Sequence, residues 1–465
     1  MSWNHRAYDL ATDVGIEAIE FYFPKNFVDQ TDLENHNNVS SGKHTIGLGQ
    51  KEMGFCADNE DIVSISMTVT RNLLNTYKIP TDSIGCLVVG TETLIDKSKS
   101  VKTALMDLFP ENSDIEGVDI KNACFGGAQA LLHAVDWVSV NNPIDKRNAI
   151  VVIADIAIYE DGPARCTGGA GSMAFLICPN STIPIDRRFS ACHMKNSWDF
   201  FKPIGSNVSE YPVVDGSLSL SSYLEAARMT YTNFVAKLAR HKAEYTGLNS
   251  FDAIFLHSPF TKMVQKGLAV MSYTDSCLFK THQNGNGVES KLNENDRAAM
   301  AKMIELSSNI WKEKTDPYLT FNRRIGNMYT PSLFAQLFAY LASDNSITKS
   351  EKNILFFAYG SGLASAVFPG RVRDTPNLDR IRQVAVSAIQ RLDSRNRFSA
   401  EEFTKTLKLR EEFLHSEVPL IPKTPSESKL FSNTYFLQEV DKMYRRKYVL
   451  YEEPNGVSNG NGVHH

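Results

Sequence analysis

The chain has no run of about 18 apolar residues, so no membrane-spanning helix is expected. It has no strong charge of either sign. Lys and Arg number 49 against 53 Asp and Glu, a net charge of −4, which argues against a nucleic-acid partner, whose footprint is basic. It has no CxxC pair, and its seven cysteines (Cys56, Cys86, Cys124, Cys166, Cys178, Cys192 and Cys277) are odd in number. Neither a disulfide framework nor a structural zinc site is therefore expected, and a reducing compartment is. HExxH, GxSxG, P-loop and dinucleotide-binding motifs are missing, and the terminal pair His464 and His465 carries no metal assignment. The N-terminal residues lack the apolar core of a signal peptide and include Asp9 and Asp13, which a mitochondrial transit peptide avoids. The expected location is cytoplasmic.

What is present is globular. Apolar residues at 42% and charged residues at 22% sit near the average for packed domains. At 465 residues the chain is long enough for about three domain-sized units or two large halves. Short apolar runs bounded by turn residues predict buried strands at Cys86–Gly90, Ala149–Ile158, Met173–Ile177, Ala253–His257 and Ile354–Tyr359. Between them helical spacing predicts helices over Ala123–Val140, Tyr223–His241 and Asn327–Leu341. This alternation predicts an α/β fold with buried sheets. The pattern also occurs twice: strand, helix, then strand with a Gly-rich joint (Gly168–Gly171, and Gly360 to Gly362), the second copy carrying an insertion before its helix. Such a duplication places loops of both copies around one crevice. The charged stretch Asp374–Glu453 predicts a peripheral helical cap, and the Asn/Gly-rich end, 454–465, a disordered tail.

Three residues stand where chemistry is built. Cys124, in KNACFGGA, falls where a helix begins. Free N–H groups and the dipole there favour a thiolate and could hold an oxyanion, and Gly126 and Gly127 would leave room beside the sulfur. The residue reads equally as a buried, inert cysteine. Glu92, in GTET, ends an apolar strand. Burial would raise its pKa and make it a usable base, whereas a solvated turn glutamate is the plainer reading. His257, in FLHSP, ends the matching strand of the second copy, as a site residue or a satisfied core histidine. Lys262 and Lys266 share a helix face at i, i+4, which suits a phosphate-bearing ligand or a solvated surface. Asn327, in GNMYT, opens the second helix as Cys124 opens the first, as an N-cap or a hydrogen-bond partner for a carbonyl. The Ser361 N–H, in YGSG, could complete an oxyanion hole.

Taken in order, KHTIGLGQKEMGFC (Lys43–Cys56), VGTETLIDKSKSVK (Val89–Lys102), KNACFGG (Lys121–Gly127), SEYPVVDGSLS (Ser209–Ser219), FLHSPFTKMVQK (Phe255–Lys266), GNMYT (Gly326–Thr330), YGSGLAS (Tyr359–Ser365) and RLDSR (Arg391–Arg395) resemble eukaryotic 3-hydroxy-3-methylglutaryl-CoA synthase over most of the chain. The resemblance implies a thiolase-like, duplicated five-layered α/β/α/β/α fold, with halves at 13–182 and 183–453 and the cap in the second. It implies condensation of acetyl-CoA with acetoacetyl-CoA through an acetyl-cysteine, by a homodimer without metal or cofactor. By motif, the nucleophile maps onto Cys124, the base onto Glu92 and the histidine onto His257. Binding positions map onto Ser40, Ser41, Thr167, Ser219, Lys262, Lys266, Asn327 and Ser361, and Asp155 and Asp199 match supporting aspartates. The sequence departs from the family pattern at Phe125 (for Tyr), Pro163 (for Asn), Cys166 (for Pro) and Ser40-Ser41 (for Asp-Ala), and between Met271 and Phe321, which is shortened.

Two rivals differ in chemistry. A degradative thiolase needs a second cysteine late in the second copy, and none follows Cys277; a ketoacyl synthase would show no Glu at the first strand end. A non-catalytic CoA-binding homologue is favoured by Phe125 and Pro163 and opposed by the intact Cys, Glu and His.

Overall fold

The computed structural model describes residues 9–203, 210–241, 245–284, 292–343, 351–425 and 429–452. The expected tail, 454–465, lies outside them, as do Ser209 and part of the diverged stretch (285–291).

Two sheets carry the fold. The first has six strands in the order Asp119–Ile120, Ile84–Gly90, Asn148–Ala157, Gly169–Cys178, Gly15–Tyr22 and Ile183–Pro184. The second has four, in the order Ala253–Leu256, Lys352–Gly360, Ala364–Val372 and Ala191–Met194. The duplication is visible strand by strand. Ile84–Gly90 runs parallel to Asn148–Ala157, which is antiparallel to Gly169–Cys178, which is antiparallel to Gly15–Tyr22. Ala253–Leu256, Lys352–Gly360, Ala364–Val372 and Ala191–Met194 repeat the same directions.

Alternating side chains along these strands separate two faces. The inner faces meet around two central helices. Ile16, Phe21, Val151, Ile153 and Phe175 from the first sheet and Phe255, Ile354, Phe356 and Phe368 from the second share one core with the Gly126–Asp145 helix (Leu131, Val135, Val138) and the Pro331–Ala342 helix (Phe334, Leu337, Phe338, Leu341). The outer face of the first sheet (Ala18, Leu87, Val89, Ile150, Val152) lies under the Ile62–Tyr77 helix. The outer face of the second (Ile254, Leu256, Leu355, Phe357) lies under the Gly216–Arg240 and Thr261–Asn284 helices. The result is the five-layered α/β/α/β/α arrangement. Sheets covered on both sides explain why the strands read as unbroken apolar runs.

The C-terminal region corrects the sequence expectation. The Leu378–Asp393 helix is no peripheral cap: Leu378, Ile381, Ala385, Ala388 and Leu392 join the main core. Their helical spacing is interrupted by Asp, Arg and Gln on the outer face, which concealed it. The end of the described chain is a β-hairpin, Thr434–Val440 with Arg446–Tyr451, not helix. The Ala400–His415 helix is tied down by Arg410, which donates to the carbonyls of Ala57 (3.1 Å) and Glu60 (2.6 Å) and pairs with Glu210 at 3.0 Å.

Phe338 is fully buried at the centre of this stack, edge-on to Phe21 with ring centroids 5.8 Å apart. Phe338→Ala is expected to cost about 3–5 kcal/mol, as large-to-small core substitutions do; the shift in the denaturant midpoint measures it.

Candidate active site

The two central helices begin close to where the halves meet, and their first residues are crowded together. A Cβ on Gly90 would come within 2.6 Å of the Gly127 Cα, and one on Gly360 within 2.4 Å of the Phe125 N and 2.6 Å of the Asn122 O. Only glycine admits that approach, so the Gly-rich joint of the second half packs directly against the Cys124 loop. Gly126 and Gly127 serve packing too, against the Ile120 carbonyl (2.8 Å) and the Thr330 side chain (2.9 Å), rather than the ligand access expected of them.

Asp155 ties the junction. Fully buried at the end of its strand, its Oδ1 accepts from the Thr91 hydroxyl (3.0 Å), the Glu92 N–H (2.8 Å), the Thr93 N–H (3.1 Å) and the Thr93 hydroxyl (2.9 Å). Its Oδ2 accepts from the N–H (3.0 Å) and hydroxyl (2.6 Å) of Thr330, in the second half. Burial is the largest influence on this carboxyl and raises its pKa, while Thr330 and Lys202 oppose that shift.

Glu92 is buried, and its Oε1 has no hydrogen-bond partner among the described residues. Burial pushes its pKa up to about 7, Asp155 adds to the rise, and Lys202, 3.8 Å away, opposes it. Such a carboxyl is a base near neutral pH.

Cys124 is half-buried, just before the helix that starts at Gly126, and Ala123 before it has the left-handed φ of 43°. The expected thiolate is not what the surroundings favour. Burial, then the Glu92 and Asp155 carboxylates, push the thiol pKa well above its usual value, against Lys202 and the cysteine's own N–H. Charge repulsion in a dry site outweighs the helix end, so the resting group is the thiol.

His257 is buried, with its N–H donating to the Phe357 carbonyl (2.9 Å) and its carbonyl accepting from the Tyr223 hydroxyl (2.7 Å). Burial lowers the ring's pKa to about 3, Nδ1 has no partner among the described residues, and the ring stacks on Tyr359 with centroids 6.3 Å apart. It is a neutral imidazole, able to donate a hydrogen bond but carrying no charge. Tyr359 in turn donates to Asp199 (2.9 Å), whose other oxygen accepts from the Gly362 N–H (2.9 Å). Asp199 therefore fixes the turn that carries Ser361, whose carbonyl faces the Asn122 amide at 3.4 Å.

Asn327 does not open its helix. Pro331 does, with Thr330 as cap, because proline suits the first turn, where no N–H is needed. The Asn327 Oδ1 instead accepts from the Tyr329 N–H (2.9 Å) and the Ser332 hydroxyl (3.0 Å), and its N–H donates to the Thr167 carbonyl (3.0 Å). This draws Thr167 and Asn327 together across the two halves.

The remaining binding candidates are carried by other elements. Ser40 and Ser41 are exposed on a loop gathered by Glu34, which accepts from the N–H groups of Gly42, His44 and Thr45. That loop docks on the start of the Thr261–Asn284 helix, where the Lys262 N–H donates to the Leu48 carbonyl (3.0 Å). Lys266, one turn on, lines a cavity of about 600 Å³ with Ser217, Ser221 and Arg297. Ser219, on the first turn of its helix, is outside that lining. A cavity of about 820 Å³ lies elsewhere, lined by Leu10, Val140, Phe189 and Phe251 and by none of these candidates.

Sequence reasoning missed Lys202 and the aromatic wall of Tyr159, Tyr329 and Phe200 around Cys124. The one available signal was a lone lysine in Phe-Phe-Lys-Pro beside Asp199.

A thiol, a near-neutral carboxyl and an uncharged imidazole at the junction of a duplicated α/β fold form the kind of site that can carry an acyl group and activate it. The family models for hydroxymethylglutaryl-coenzyme A synthase match this chain, the N-terminal model over residues 10–182 and the C-terminal model over 183–451. A Caenorhabditis elegans hydroxymethylglutaryl-CoA synthase is 76% identical over 465 residues, 100% of both chains. The human cytoplasmic enzyme is 42% identical, covering 97% of this chain and 90% of its own, and the mouse mitochondrial enzyme is also 42% identical, covering 94% and 89%. A solved structure of MvaS in complex with 3-hydroxy-3-methylglutaryl coenzyme A superposes with a TM-score of 0.82 at 27% identity, covering 94% of this chain and 99% of that one. The chain belongs to the hydroxymethylglutaryl-CoA synthase family.

Asp155→Asn is expected to lower stability and slow acylation. Either orientation of the amide sets an NH₂ against backbone N–H donors that now point at a carboxylate oxygen, an arrangement that costs about 1–3 kcal/mol per unmade bond. Thermal unfolding and the acylation rate check it; an unshifted midpoint would contradict it.

Proposed function

We infer that this chain condenses acetyl-CoA with acetoacetyl-CoA and water to give (S)-3-hydroxy-3-methylglutaryl-CoA and CoA, the carbon–carbon bond step leading to mevalonate and isoprenoids. The observation that carries the assignment of roles is Glu92. In a chain of this family, a buried carboxyl with a pKa of about 7 and an unpartnered Oε1, within electrostatic reach of the Cys124 sulfur, is suited to take a proton from an acetyl group carried there.

The steps follow from the residues. The Cys124 sulfur takes the acetyl group from acetyl-CoA, and CoA leaves as a thiol. The Glu92 carboxylate removes a proton from the acetyl methyl, and the carbanion attacks the ketone carbon of acetoacetyl-CoA. His257, uncharged, donates a hydrogen bond to the ketone oxygen as it becomes an alkoxide; the alkoxide takes up a proton from water to give the 3-hydroxyl, and the proton on Glu92 is returned to water. Water then hydrolyses the Cys124 thioester and releases the product as a carboxylate. The N–H of Ser361 supports the acyl oxygen, and Asp155 and Asp199 hold Glu92 and the Ser361 turn in place. Thr167, Asn327, Ser40, Ser41, Ser219, Lys262 and Lys266 are assigned to the acyl-CoA, the two lysines to its phosphates.

The halves are drawn at 13–182 and 183–453, supported by the repeated strand order. The reading includes a homodimer, a cytoplasmic location and no cofactor. The free cysteines suit a reducing compartment, and every step above is assigned to a side chain, the backbone or water. Light scattering on the purified protein is expected to give twice the 52.0 kDa chain mass, and dialysis against a chelator to leave activity unchanged.

Cys124→Ser is expected to abolish acetylation, read by intact-protein mass spectrometry after mixing with acetyl-CoA; full labelling of the variant, or labelling of Cys56 or Cys166, would sink the assignment. Glu92→Ala is expected to acetylate but to lose condensation by about 10²–10⁴-fold or more, the contribution of a positioned base. Because the base acts deprotonated, condensation in the unaltered enzyme rises with pH through about 7. A flat profile between pH 6 and 8 would contradict it.

A further inference from the structure

Lys202 takes no part in the steps above, yet it stands beside the Glu92 carboxyl. Its Nζ is 3.8 Å from the Glu92 Oε1, 4.7 Å from the centroid of the Tyr329 ring and 5.8 Å from that of Phe200. A cation over aromatic faces is held without being neutralised. The segment that presents it is pinned. Asp199 is bound to Tyr359 and Gly362, and the next residues, Phe200–Phe201, pair with Val213–Val214. A strap anchored in the second half thus sets one ammonium against the carboxylate of the first.

We propose that Lys202 is a positioning residue for the condensation, the fixed counter-charge that keeps Glu92 ionised while leaving its Oε1 free to take the methyl proton. The inference rests on the reading of Glu92 as the base. Distance carries it. At 3.8 Å the ammonium is near enough to stabilise the anion but too far to hydrogen-bond to it, and Oε1 has no other partner among the described residues. A carboxylate whose lone pair was tied up in a hydrogen bond would be a poorer base. The groups that bear on Glu92 are Asp155, Cys124, Tyr159 and Tyr329, each acidic, and Lys202, the described cation acting on it. Without Lys202, burial and Asp155 act unopposed and Glu92 holds its proton to higher pH. When the methyl proton reaches Glu92, the negative charge passes to the acetyl-Cys124 carbanion within the field of the same ammonium.

The experiment is the pH profile of condensation for the purified full-length enzyme, with acetylation of Cys124 followed by mass spectrometry in the same samples. Lys202→Met, with Lys202→Gln as a second neutral variant should the first misfold, is expected to acetylate to completion. Its acidic limb should move up by about one to three pH units, the range an adjacent opposite charge imposes on a carboxyl, and its rate below the wild-type midpoint should fall at least about tenfold. Lys202→Arg is expected to keep the limb within half a unit. A limb unmoved in both neutral variants overturns the proposal, as does an arginine variant displaced as far as they are, since packing rather than charge would then be responsible. Glu92→Gln separates the two readings. Acetylation without condensation upholds Glu92 as the base whatever Lys202 does, and condensation at near wild-type rate removes the base and the proposal together.

Discussion

The site depends on one buried carboxylate. Asp155 sits at the end of a strand in the first half and receives donors from Thr91, Glu92 and Thr93 on the neighbouring strand end, and from Thr330 at the head of the second half's central helix. A buried carboxylate is costly unless it is fully satisfied, and six donors make this one affordable only in a single arrangement. Bringing Thr330 to Oδ2 requires the central helices to meet where Gly127 leaves no side chain. Bringing the Glu92 N–H to Oδ1 fixes where that residue's side chain begins. The same interaction therefore joins the halves and places the base.

The electrostatics follow from that choice. Asp155 and Glu92 share a dry pocket with the Cys124 thiol, and each raises the cost of charge on its neighbour. The first consequence is a carboxyl held near neutrality, where a base is most useful. The second is a thiol that stays protonated at rest despite the helix beginning two residues later. The third is an imidazole that burial leaves neutral.

Much of this was legible in the sequence. The apolar runs ending at Gly90 and Leu256 pointed to Glu92 and His257, because a polar residue is costly inside a strand buried on both faces and stands out where such a run ends. The duplication pointed to a shared crevice. Ser40, Ser41 and Ser219 were legible only through family resemblance, having no local peculiarity, whereas Lys262 and Lys266 also showed as a basic pair at i, i+4. Three things were hidden. The Leu378–Asp393 helix reads as solvated because charges interrupt its apolar stripe. The strands Gly15–Tyr22 and Ala364–Val372, both interior to their sheets, are broken by Glu20 and by Pro369 and Gly370 and gave no run to find. Lys202 acts across the two halves, and no local pattern encodes which residue a lysine will face after folding.

The resting protonation of Cys124 bears on the order of events. A thiolate here would face two carboxylates, so the thiol is stable until an acyl-CoA arrives and its proton has somewhere to go. Once acetylated, the sulfur belongs to a neutral thioester and contributes no charge to the pocket. The charge facing Glu92 is unchanged, since the thiol was already neutral, but no competing thiolate can now form beside it, and Lys202 remains. Charge that reappears on the acetyl carbon after deprotonation lies on the substrate and is consumed in forming the new bond. Crowding three acidic groups into one site thus keeps the sulfur protonated in the empty enzyme and leaves Glu92 as the group that ionises near neutral pH once the sulfur is acylated.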